Sequence, residues 1–251
     1  MFVFASLRRI DLAHAKFFSI VRHMTDDRKS GIALIAGSLG SLFTMAIHPT
    51  GGASPTPGLA AHLALVSAIA HSIAIVSVLV LFLGACGLTR RLAAFARTPN
   101  PDRLAFAAIV TFGLAGVAIL IAATVSGFIV PSILRHMARD GAATVPQYHL
   151  VIDAMFQFNQ AFARIFSVAA SAAIALWSVS ALRNGGIGRG IAIYGCIVAA
   201  LLAAGIVAGH LRLDVHGMAV VVLGQAIWFI VAGAQLCRRQ NQELLPGDRP
   251  L

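Results

Sequence analysis

The chain alternates between long apolar runs and short polar connections, and the runs carry no strand-like alternation. Six runs stand out, from about Gly31 to Ile47, Ala60 to Leu88, Leu104 to Val130, Ile152 to Leu182, Gly190 to Gly209 and Gly217 to Leu236. A helix crossing hydrocarbon needs about 20 mostly apolar residues. Backbone amides in lipid must find partners within their own segment, so helices are the expected form. A transmembrane β-barrel would show segments of about 10 residues with alternating polarity. The pattern therefore predicts an all-α, polytopic membrane bundle of six helices. Residues 31–237 form its single domain, between a cytoplasmic N-terminal segment, 1–30, and a cytoplasmic tail, 238–251.

Composition sharpens this expectation. The 251 residues are 59% hydrophobic and 11% charged, against about 25% charged in an ordinary soluble domain. The formal charge of +10 raises the question of nucleic acid. Its distribution answers differently. Arg8, Arg9, Lys16, Arg22, Arg28 and Lys29 precede the first span. Arg90, Arg91, Arg97 and Arg103 lie in the second loop, Arg183 and Arg189 in the fourth, and Arg238, Arg239 and Arg249 in the tail. The opposite side carries only Arg135, Arg139 and Arg212, and Arg164 falls inside a span. The positive-inside rule then places both termini in the cytoplasm. No clustered basic face for nucleic acid emerges. Arg outnumbers Lys seventeen to two, which reads as a GC-rich bacterial genome and hence an inner (plasma) membrane.

The first 23 residues lack a continuous apolar region before a small-residue cleavage site. Two readings stand for them: an interfacial helix around Phe17, Phe18, Ile20 and Val21, or a true start at Met24. Cys86, Cys196 and Cys237 form no CxxC pair and read as apolar filler. Small residues allow close helix approach in lipid. Gly37 with Ser41, Gly113 with Gly116, and the Gly205/Gly209 pair are the candidates. Pro131 is expected to end the third span, because proline has no N–H to continue a helix.

Three polar features carry candidate chemistry. The first is histidine placement. His48, His62, His71, His136, His149, His210 and His216 all map to the side opposite the basic residues. Histidine is the commonest metal ligand. His71 lies deepest, about ten residues inside span two, where an ionisable group is a functional candidate by default. No second histidine is evident at its depth, which counts against a buried bis-histidine haem. The plain alternative is that each histidine sits harmlessly at an interface.

The second feature is a stripe on span four. His149, Asp153, Gln157, Gln160, Arg164, Ser167 and Ser171 are spaced 4, 4, 3, 4, 3 and 4, within roughly 40° of one line on a helix. Such a face is expected to point into the bundle or a water-filled cavity. It serves as a ligand pocket or, equally, as a structural hydrogen-bond network. The third feature is the turn from Gly209 to Gly217, where His210, Asp214 and His216, with His62, form a partial metal set. Asp214 is expected beside a cation there.

The chain has no P-loop, HExxH, GxSxG or CxxCH motif, and its only glutamate is Glu243. No catalytic motif points to an enzyme. The leading expectation is an integral membrane protein with an outward-facing His/Asp/Arg pocket for a metal, haem or small molecule, with Arg164 anchoring an anion or propionate. Against it stand a small-solute or ion transporter lined by the stripe, and an assembly or sensor subunit that binds a partner membrane protein.

Overall fold

A computed structural model describes residues 26–48, 57–96, 102–140 and 145–238. The expectations for the N-terminal segment before Asp26 and for the tail beyond Arg238 lie outside these residues. The described chain is all-helical. Its helices are α1 (Asp26–Ile47), α2 (Pro57–Ala94), α3 (Arg103–Thr124), α4 (Val130–Asp140), α5 (Val145–Asn184), α6 (Arg189–Val207) and α7 (Val215–Arg238), with a π-helical segment, Val125–Ile129, joining α3 to α4. Six helical stretches are long and apolar enough to cross a membrane, as the apolar runs predicted.

The six stretches close into a ring in chain order. Helix α1 packs on α2, α2 on α3, α3 on α5, α5 on α6, α6 on α7, and α7 returns to α1. Aromatic rings from three of them fill the centre. Phe112 of α3, Trp177 of α5 and Trp228 and Phe229 of α7 lie with ring centroids 5.1 to 6.1 Å apart. The outer faces remain apolar: Leu83, Phe106, Leu114 and Leu201 are each more than 60% exposed. A core inside and large apolar residues outside are compatible with an integral, multi-pass membrane protein.

Close approach comes from glycine. A Cβ on Gly31 of α1 would lie 2.5 Å from the Gly233 carbonyl oxygen of α7. One on Gly37 would lie 2.7 Å from both the Leu81 nitrogen and the Ser77 oxygen of α2. The expected role of Gly37 is met, whereas Gly113 and Gly116 make only ordinary contacts with Phe82 and Val78. The Gly205/Gly209 pair is not a packing motif. Gly209 lies beyond the end of α6 with φ +75°, where it turns the chain, a conformation that costs glycine nothing.

One end of the ring gathers the basic residues. Asp26 pairs with Arg90 at 3.5 Å and Asp27 pairs with Arg91. Asp102 caps α3 by accepting from the Leu104 and Ala105 amides. Its other oxygen accepts from Ser180 Oγ and from Asn184 Nδ2 of α5. This is the basic end, and the opposite one is the far end.

At the far end the third stretch departs from expectation. Pro131 does not terminate it: the helix runs on to Asp140. The π segment supplies the reason. There the Val130 N–H bonds the Val125 carbonyl, five residues back. In that register Pro131 would have to donate to the Ser126 carbonyl and cannot. Ser67 Oγ of α2 donates to this carbonyl instead, at 3.0 Å. A helix tolerates a proline when a neighbour satisfies the freed oxygen. Helix α5 is 40 residues long, about 60 Å at 1.5 Å per residue, roughly twice the hydrocarbon thickness.

Candidate functional site at the far end

Four elements meet around His71. The residue is 8% exposed. Its Nδ1 lies 2.8 Å from the carbonyl oxygen of Ser67, one turn earlier on α2. A carbonyl only accepts, so Nδ1 carries the proton, and in the neutral ring Nε2 holds the lone pair. The histidine is thus held in one tautomer and one orientation. Ser67 Oγ reaches across to the Ser126 carbonyl. From α5, Asn159 Nδ2 donates to Ser126 Oγ at 2.6 Å and to the Ala122 carbonyl at 2.8 Å. Gly127 lies against the His71 side chain, where a Cβ would collide. The fourth element is the end of α1. His48 follows it directly, and its ring lies 5.1 Å from that of His71, inclined at 67°.

This corrects the expectation that His71 has no histidine neighbour at its depth. The sequence of α2 shows His71 by itself, but α1 is short and ends level with it. Ser67, Ser126 and Asn159, which build the node, are not among the residues that the sequence pattern singles out. Ser67 and Ser126 are small polar residues within apolar runs. Asn159 lies beside the span-four stripe, one position off it. The signals were present: a Ser-xxx-His pair at one helical turn, and a proline at the end of an uninterrupted apolar run.

The stripe itself divides in two. Its lower part is buried. Ser167 and Ser171 donate to the Ala163 and Ser167 carbonyls, each at 2.8 Å. Gln225 of α7, 5% exposed, donates to the Ser167 carbonyl at 3.3 Å and lies 3.2 Å from Ser171 Oγ. Higher up, Gln160 is half-buried and donates to the Leu213 carbonyl at 3.1 Å. His149, Asp153, Gln157 and Arg164 are exposed, so the face does not turn inward along its whole length. Leu213 belongs to the turn between α6 and α7. Residues of α5 before Gln160 project past that turn, beyond the reach of the two shorter helices. Arg164 is exposed one turn below Gln160.

The turn between α6 and α7 is irregular, neither an extended ladder nor a helix. Asp214 is not oriented by a cation there. Its Oδ1 accepts from the Gly217 amide at 2.9 Å, and its carbonyl accepts from the Met218 amide. It begins α7 as a helix cap. His62, His210 and His216 are exposed. Among the described residues no three His, Cys, Asp or Glu side chains lie together so as to hold a metal ion. The structure therefore brings together His71, His48, Ser67, Ser126 and Asn159. Comparison with protein families, curated proteins and solved structures yields no match to this chain.

Proposed function

We propose that this chain is a multi-pass protein of a bacterial inner membrane, with both termini cytoplasmic and a small-ligand binding site at its far, external end. The orientation rests on the fifteen basic residues of one side against three of the other. The binding reading rests on one observation: a buried histidine, fixed in a single tautomer, touches a second histidine beside a π segment and an asparagine from α5. Isolated π turns inside α-helices concentrate at functional sites. Orienting one imidazole nitrogen on a carbonyl leaves the other available as a base or ligand. Exposed His149, Asp153, Gln157 and Arg164 form a polar approach to this end. A transport route down α5 has less support, because Ser167, Ser171 and Gln225 spend their polar groups on one another and on helix carbonyls.

The test is thermal unfolding of the full chain in detergent, against transition-metal chlorides, imidazole and inorganic phosphate, between about pH 5 and 8. At least one of these should raise the midpoint, and the rise should be lost in His71→Ala and in Asn159→Ala. A wild type that responds to none of them, or variants that respond as it does, overturns the reading. Fusing a reporter active only outside the cytoplasm after residue 141 and after Arg238 tests the orientation. Activity at the second site but not the first would reverse it.

A further inference from the structure

We infer that His48 and His71 together hold one transition-metal cation of the zinc or copper class. The inference rests on the binding site proposed above and names its ligand. The distance carries it. With metal–nitrogen bonds of about 2.0–2.1 Å and a ring centre about 1.2 Å behind each nitrogen, two imidazoles on a tetrahedral ion have centres about 5 Å apart. The His48 and His71 centroids are 5.1 Å apart. Opposed axial ligands on a haem iron would need about 6 Å with the macrocycle between them, so the pair suits a compact ion and not a haem.

The ligand chemistry narrows the ion. Both donors are imidazole, which selects zinc, copper, nickel or iron over magnesium and calcium. The bond from His71 Nδ1 to the Ser67 carbonyl is the outer-shell contact that metal-bound histidines make through their second nitrogen. Ser67 is itself anchored, because its hydroxyl fills the carbonyl that Pro131 leaves open. The proline, the π segment and Gly127 thus act together to seat one ring. Among the described residues two imidazoles donate, and the remaining positions of a tetrahedral ion would be open to water or a small anion, whereas structural sites are closed by four protein ligands.

The experiment uses the full chain in detergent, freed of any polyhistidine tag. Co²⁺ is titrated first, as a probe with visible absorption, and Zn²⁺ then displaces it. One saturable ion per chain is expected, with the strong visible bands of a tetrahedral site. His48→Ala and His71→Ala should each weaken binding by about tenfold or more, while His210→Ala should leave it unchanged. His48 lies just past the end of α1, so its variant keeps the test open if His71→Ala does not fold. No saturable binding overturns the inference, as does binding that survives both variants or that falls only in His210→Ala. If zinc fails while phosphate or imidazole still shifts the midpoint through His71, the metal is wrong and the binding site stands. If no probe acts through His71, both fall.

Discussion

The two ends of the bundle contain similar polar chemistry and use it differently. At the basic end, polar groups brace helix against helix. Asp102 begins α3 and ties it to α5 through Ser180 and Asn184, and Asp27 ties α1 to Arg91 of α2. Gly31 and Gly233 bring α1 and α7 into backbone contact nearby. At the far end the helices have unequal lengths, and Asn159 of α5 reaches the Ala122 carbonyl and Ser126 Oγ across a π segment. The polar groups there gather around a histidine and an irregular helix turn. Burial with reciprocal partners reads as architecture. Burial around a histidine ring beside a π-helical turn reads as a site.

If this contrast is right, the basic end should be the less forgiving to mutation. The largest effect is expected for Gly31→Ala. The added methyl would meet the Gly233 carbonyl at 2.5 Å and the Leu236 Cβ at 3.1 Å. Backbone cannot move aside as a side chain can, so overpacking of about 3 kcal/mol or outright misassembly should follow. Gly190→Ala is the matched control, because a Cβ there meets nothing within 4 Å. It should be neutral or mildly stabilising, by about 0.5 kcal/mol. Equal loss in the two variants, read from thermal unfolding in detergent, would show that α1 and α7 do not touch there.

Next comes Asp102→Ala. It removes the cap of α3 and the acceptor shared by Ser180 and Asn184, for about 2–3 kcal/mol. Asp214→Ala at the far end removes a cap alone and should cost about 1 kcal/mol. A cost for Asp214→Ala that matches or exceeds that for Asp102→Ala would erase the distinction between bracing and capping on which the comparison depends.

The fold was legible because hydrophobic length is nearly one-dimensional information: each span could be read from its own residues. The site was legible only in part. Periodicity locates the α5 stripe and aligns Ser167 with Ser171, but it does not separate the buried lower part from the exposed part that holds Asp153 and Arg164. Asp214 looked like a ligand because its neighbours in sequence are His and Arg. Its partner is a backbone amide three residues later, which side-chain chemistry does not announce. The His48–His71 contact depends on α1 ending level with the middle of α2, a relation between two helices that neither contains alone. Pro131 by itself signals a helix end, and the compensating hydroxyl of Ser67 sits 64 residues earlier in the chain.

That compensation yields the smallest effect and the most specific test. Ser67→Ala should leave the Ser126 carbonyl without its donor and loosen the His71 ring, at about 1 kcal/mol. Pro131→Ala restores a backbone N–H in the position that the Ser67 hydroxyl now covers. The carbonyl then has two candidate donors, and losing the hydroxyl matters less. A double-mutant cycle should therefore give a smaller penalty for Ser67→Ala in the Pro131→Ala background, with a coupling of about 0.5–1 kcal/mol. Equal penalties in the two backgrounds would mean that the serine does not stand in for the proline's missing donor. The far end would then owe its irregular turn to packing alone, against Gly127 and the His71 ring.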